Sequence, residues 1–153
     1  LCSHLGEEGE VGVIVQGSIP AMITADPLLD LAKRQGDPGR LLHGISDATG
    51  RIFPVHPDPW GRTHILNAAE LCLIDYLPAL ARAGVDRVVI DARWRGPSYA
   101  SGMIEIYRTA MKGPAWWEGK GRFSERLPAL KARIKAMAQG GITTGHYLHG
   151  LSD

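Results

Sequence analysis

The sequence predicts an α/β fold, a parallel sheet with helices packed on it, and three observations carry that prediction. A helical segment ends at Gly84 and runs directly into the β-branched stretch Arg87–Asp91. A second helix opens at Pro97 with apolar residues at helical spacing, and an earlier glycine-bounded apolar run, Val11–Gln16, supplies another strand. Helix, buried strand, helix is the order that places helices over a parallel sheet.

Each element follows from local chemistry. Val11–Gln16 is a short buried strand, and IPAMITADP after it opens a long irregular insertion. Leu41–Ser46 and Arg51–Val55 flank DATG, whose glycine takes the positive φ of a turn, so this part of the insertion forms a surface hairpin. PDPWGR breaks regular structure. Asn67, with Glu70 three residues later, predicts a helix start in which the amide oxygen accepts a free backbone N–H and the glutamate reaches back. Leu71, Ile74 and Leu77 form its apolar face, Pro78 interrupts or restarts it, and Gly84 ends it. Arg87–Asp91 is the clearest strand. Ala100, Met103, Ile104, Tyr107 and Met111 stripe the next helix until Gly113 and Pro114. Ser124–Ala138 is the last helix, with Leu127, Leu130, Ile134 and Met137 on one side.

Composition bounds the function classes. With 44% hydrophobic and 22% charged residues the chain is globular, and its 153 residues suit one domain. No apolar run reaches a membrane span, and no signal-peptide pattern opens the sequence. Two cysteines, Cys2 and Cys72, make no disulfide framework, which predicts a reduced, cytoplasmic setting. A net charge of +1 demands no polyanionic partner. Between Lys112 and Lys135, however, seven basic residues face two acids. The plain reading is a solvated helix face; the functional one is a nucleic-acid contact helped by Trp116 and Trp117.

The segment from Gly61 to Arg95, GRTHILNAAELCLIDYLPALARAGVDRVVIDARWR, resembles the signature region of the collagenase-like peptidase family, peptidase family U thirty-two. There a segment like ILNSKDLCLI precedes a helix, AGVD, an apolar strand and IEGR. The resemblance extends more loosely to VGVIVQGSIPAM, RIFPVHPD, PSYASGMIEIYRTAM and GITTGHYL. It implies the C-terminal portion of a modified TIM-type barrel with an extended loop insertion over its mouth. A complete barrel takes about 250 residues, so the expectation is a single domain, residues 1–153, forming the C-terminal part of a longer barrel. Its insertion covers about 18–64, its core βα units about 65–113, and its C-terminal helix and tail 114–153.

The resemblance also implies a hydrolase, a peptidase by family label. No HExxH, GxSxG or local cysteine signature accompanies it. Asp91 and Arg93 stand where the family motif has glutamate and arginine, at the C-terminal end of a strand, and are the candidate catalytic and ligand-binding residues. Arg93 offers a planar fork to a carboxylate or phosphate; a plain ion pair with Asp91 is the alternative. Some relatives hold an iron–sulfur cluster and serve hydroxylation of RNA bases or quinone precursors. Four thiolates are the usual requirement, so two cysteines argue against such a cluster here. Zinc is the metal considered, with His64 and Cys72 as half a site that a homodimer would complete. Cys72 beside Leu71 and Leu73 is otherwise a buried apolar residue, and Cys2 with His4 is a second metal pair. The alternative to a peptidase is a non-proteolytic barrel related to RNA or quinone modification, gripping an anionic or peptide-like ligand at its mouth.

Overall fold

The structure is a computed structural model that describes residues 9–26, 43–113, 116–119, 121–145 and 147. In chain order its elements are β1 (Gly12–Gly17), β2 (Pro20–Thr24), β3 (His43–Ser46), β4 (Ile52–Pro57), β5 (Thr63–Leu66), β6 (Glu70–Cys72), α1 (Leu77–Arg82), β7 (Arg87–Asp91), α2 (Pro97–Ala110), α3 (Arg122–Met137) and β8 (Ile142–Thr143). The fold is α/β. Its described strands form two four-stranded sheets, ordered β7-β1-β6-β8 and β2-β5-β4-β3.

In the first sheet β1 runs parallel to β7, from Gly12 opposite Arg87 to Gly17 opposite Asp91, and antiparallel to β6. The helices cover one face of it. Val13, Val15, Val88 and Ile90 join the core there, whereas the alternating Ile14 and Val89 lie on the other face, each 42% exposed. The core is filled by Leu71, Ile74, Leu77, Tyr107, Ile134 and their neighbours. Gly17 marks the closest approach of β1 and β7, since a Cβ there would sit 2.2 Å from the Asp91 carbonyl oxygen.

Three expectations change. The described part of the insertion is regular, because residues 20–24 and 63–66 pair as β2 and β5 around the predicted hairpin. Asn67 and Glu70 do not start a helix: the Asn67 amide donates to the Ile19 carbonyl, and Glu70 enters strand β6 between β1 and β8. The helix begins at Leu77 instead, where Pro78 falls in the first turn and its missing N–H costs nothing. In α2 the buried stripe is Tyr99, Met103, Ile106, Tyr107 and Ala110, while Ile104 is 45% exposed. The helical spacing holds, and its phase is turned part of the way around the cylinder.

Leu41 and Leu42 of the predicted hairpin, together with Cys2 and His4, lie outside the described residues.

Candidate functional site

Two buried polar clusters meet at the C-terminal end of β1 and β7, the end from which the second sheet emerges. The first centres on Glu70, 1% exposed. Its carboxylate accepts from the Tyr99 hydroxyl at 2.6 Å, Gln16 Nε2 at 3.2 Å and the Gln139 amide at 3.0 Å, and it is bridged by Arg95 Nη1. Arg95 also donates to the Met137 carbonyl at 2.6 Å and lies over the Tyr99 ring, 4.1 Å from its centroid. Burial first, and then the Glu70 hydrogen bond, push the Tyr99 phenol above its usual range, so the hydroxyl stays a donor. A buried carboxylate is costly unless fully paired. Here every partner is protein, and the network ties β1, β6, α2 and the end of α3 together.

The second cluster is open. The β4–β5 turn, Asp58-Pro59-Trp60-Gly61-Arg62, closes when Asp58 Oδ1 accepts the Trp60 amide at 2.9 Å and the Arg62 amide at 3.0 Å. Oδ2 takes Arg62 Nε at 2.6 Å and His64 Nε2 at 3.1 Å. Burial works to raise the Asp58 carboxyl, but these hydrogen bonds, led by His64, outweigh it and hold the group well below the usual carboxylate range. An ionised carboxylate only accepts, so the network assigns the proton to His64 Nε2 and leaves Nδ1 of the neutral ring with a lone pair. That Nδ1 is buried with no hydrogen-bond partner among the described residues, and no other side-chain atom there shares this condition.

Trp94 closes over this cluster. It sits in the loop after β7 with φ 58°, the one non-glycine residue of positive φ among those described. For a bulky residue this is strained backbone, of the kind that persists where surrounding contacts force it. Its ring stacks on His56 at 5.0 Å and 10°, and meets His64 at 5.3 Å and 53°. His56 faces His64 directly across β4 and β5. Burial, and then repulsion from His64, hold the His56 imidazole below its ordinary value.

Of the residues singled out from sequence, Asp91, Arg93 and His64 are gathered around Trp94. Arg93 donates Nε to both Asp91 oxygens, at 3.0 and 3.1 Å, and Nη2 to Oδ2 at 2.6 Å. It lies 5.2 Å over the Trp94 ring and remains 56% exposed. The Arg93 hydrogen bond is the main reason the Asp91 carboxyl is lowered. Cys72 is elsewhere, 3% exposed in the core, where burial raises its thiol. It lies in the other sheet from His64, so a zinc shared through Cys72 across a dimer axis would require the core to open. Among the described residues no group of three or more His, Cys, Asp or Glu side chains is placed to hold a metal.

An iron–sulfur cluster of the kind the family resemblance implies takes four thiolates. Two cysteines, one of them sealed in the core, do not fit that group.

Three of the basic residues between Lys112 and Lys135 are engaged within the protein. Arg126 donates to the Thr109 and Lys112 carbonyls, Lys131 pairs with Asp75 at 2.9 Å, and Arg133 pairs with Glu105 at 3.0 Å. Trp116 and Trp117 meet edge to face at 6.3 Å. Sequence reasoning passed over Trp94, His56 and Asp58; the spacing Asp58, Arg62, His64 and the repeated D-x-x-G-R turn were the signals that could have found them.

A strand-end arginine, a tryptophan of positive φ and a carboxylate-held histidine thus make up the candidate site on an α/β scaffold. The sequence model of Peptidase family U32 matches residues 39–152, and the chain belongs to that family. It is also similar to the tRNA hydroxylation protein P2 of Bacillus subtilis (strain 168), with 30% identity over 84 residues, 55% of this chain and 26% of that relative. The chain thus matches about a quarter of the relative's length. No solved structure matches. Among the described residues no helix is long and apolar enough to cross a membrane.

Proposed function

We propose that this chain carries the mouth of a TIM-type barrel that binds RNA through an unpaired base and its phosphate, and that it does not cleave peptides. The observation that carries the reading is the Arg93–Trp94 pair. A guanidinium lies over an indole just after β7, with Trp94 held in a strained conformation beside two imidazoles. Single-stranded bases are recognised by stacking on aromatic and guanidinium planes, with arginine meeting the phosphate. Similarity to a tRNA hydroxylation protein supports RNA as the ligand class. The parallel β1–β7 pair and the uncovered Ile14 and Val89 support the barrel.

The described residues offer no nucleophile paired with a base, which supports the non-proteolytic reading. The Cys72 thiol is buried and raised, and no hydrogen bond among the described residues joins it to a histidine. The test is fluorescence anisotropy with a labelled tRNA-sized RNA, run beside a broad peptide-cleavage library. Salt-dependent binding that weakens by roughly tenfold in Arg93→Ala and in Trp94→Ala is expected, from the loss of one charge-assisted contact or one stack. RNA affinity that ignores both substitutions, or specific peptide cleavage abolished by either one, overturns the proposal.

A further inference from the structure

We propose that His56 and His64 bind a divalent transition-metal ion of the kind that prefers imidazole, such as Zn2+ or Ni2+. The two residues are register partners on antiparallel strands β4 and β5. Directly opposed side chains share one face of a sheet, with Cβ atoms about 4.5–5.5 Å apart. Both rings also reach the same indole, Trp94, so they converge on one side of the sheet.

His64 has the arrangement of a metal ligand. A ligating histidine nearly always donates its other N–H to a carboxylate or carbonyl, which fixes the tautomer and aims the free lone pair. Asp58 plays that part at 3.1 Å from Nε2, and the turn amides in their turn hold Asp58. The remaining lone pair, on Nδ1, is buried and without a partner among the described residues. An orphaned buried acceptor is unfavourable unless something fills the place. Nitrogen donors select zinc, nickel, cobalt or copper over magnesium and calcium, which take oxygen.

Two imidazoles leave about half of a tetrahedral shell for water or for an oxygen of a bound ligand. Such an ion would stand beside Trp94, close to the exposed guanidinium of Arg93. Cys72 has no part in this site. The inference is independent of RNA binding, because the ion is measured alone.

The test is calorimetric titration of the full chain with Zn2+, and quenching of tryptophan fluorescence by paramagnetic Ni2+. One ion per chain is expected. Affinity should fall at least tenfold in His64→Gln and in His56→Gln, and by roughly 10- to 100-fold in Asp58→Asn, the usual effect of removing such a carboxylate. Cys72→Ser should bind as the wild type does, and the Ni2+ quench should shrink in Trp94→Phe. His56→Gln alters a half-buried ring, so it keeps the test valid if His64→Gln fails to fold. Absence of saturable binding at millimolar ion, binding that survives His56→Gln, or binding lost in Cys72→Ser overturns the site.

Discussion

The Glu70 and His64 clusters lie at the same end of the sheet, both are buried, and both combine a carboxylate with an aromatic residue. They differ in one atom. Around Glu70 each buried donor and acceptor finds a protein partner, drawn from four elements of the chain. Around His64 the count stops one short, at Nδ1. A closed network resists change, because each member leaves another stranded when it is removed. An open one keeps a position for something from outside. The closed cluster therefore holds the fold, and the open one is the candidate site.

The largest effect should come from breaking the closed cluster. Glu70→Ala strands Arg95, whose side chain is 12% exposed, together with the Tyr99 hydroxyl and the Gln139 amide. Removing one partner of a buried ion pair costs about 3–5 kcal/mol, a large fraction of the stability of a domain this size. Urea denaturation should show it, and a loss below about 1 kcal/mol would mean the network is not closed.

His64→Ala should cost less, about 1–2 kcal/mol, because the lost packing and the lost Asp58 bond are offset by removing the orphaned Nδ1. Its larger consequence is on ligand binding at the mouth. The contrast is sharp in a paired experiment: Glu70→Ala loses stability first, His64→Ala loses binding while the melting transition stays cooperative. The reverse order would reverse the assignment of scaffold and site.

Much of the scaffold was legible because it depends on short-range rules. Arg87–Asp91 is a β-branched run between a glycine stop and a loop, and it is a strand with the predicted bounds. The helix from Pro97 and the helix ending near Ala138 follow from their apolar spacing and glycine ends. Glu70 was misread because a capping pattern and a buried carboxylate look alike in one dimension. Its partners are 25 to 69 residues away, and only the sheet brings them together. The site was half legible. Asp91 and Arg93 could be placed by strand polarity, whereas Trp94 and His56 gain meaning only from the second sheet folding back on the β7 loop.

That sheet also contains a repeat too short to stand out in the sequence. Asp47–Arg51 and Asp58–Arg62 are the same turn: each aspartate accepts the amides two and four residues on and the arginine Nε. Gly50 and Gly61 have φ of 80° and 79°, and a Cβ added at either would meet no atom within 4 Å. Alanine at either place should cost only the left-handed backbone penalty, about 1 kcal/mol. Equal losses from Gly50→Ala and Gly61→Ala in thermal denaturation would show that the turns are interchangeable as scaffold. The difference between them then lies chiefly in the next partner, the Thr49 hydroxyl at 2.6 Å for Asp47 and the His64 ring for Asp58.

The smallest effect separates the clusters by pH. Burial, and then the neighbouring His64 imidazole, lower the folded-state value of His56 below the roughly 6.5 of an unfolded chain. The unfolded state therefore binds more protons as pH drops through that ordinary value, and stability falls with it. The titratable and charged groups around the ring are His64 across the strand, Asp58 behind it, and Arg93 over the shared indole. Asp58 stays ionised throughout, since its own loss begins only near and below the ordinary carboxylate range of about 4. The Glu70 cluster contains no imidazole, and the interval to follow is about pH 7.5 to 5.5, the span around the ordinary imidazole value. A urea midpoint that declines over this interval in the wild type, and declines less in His56→Gln, places the titration in the open cluster. An identical decline in both proteins would locate it elsewhere and remove pH as a way of telling the two clusters apart.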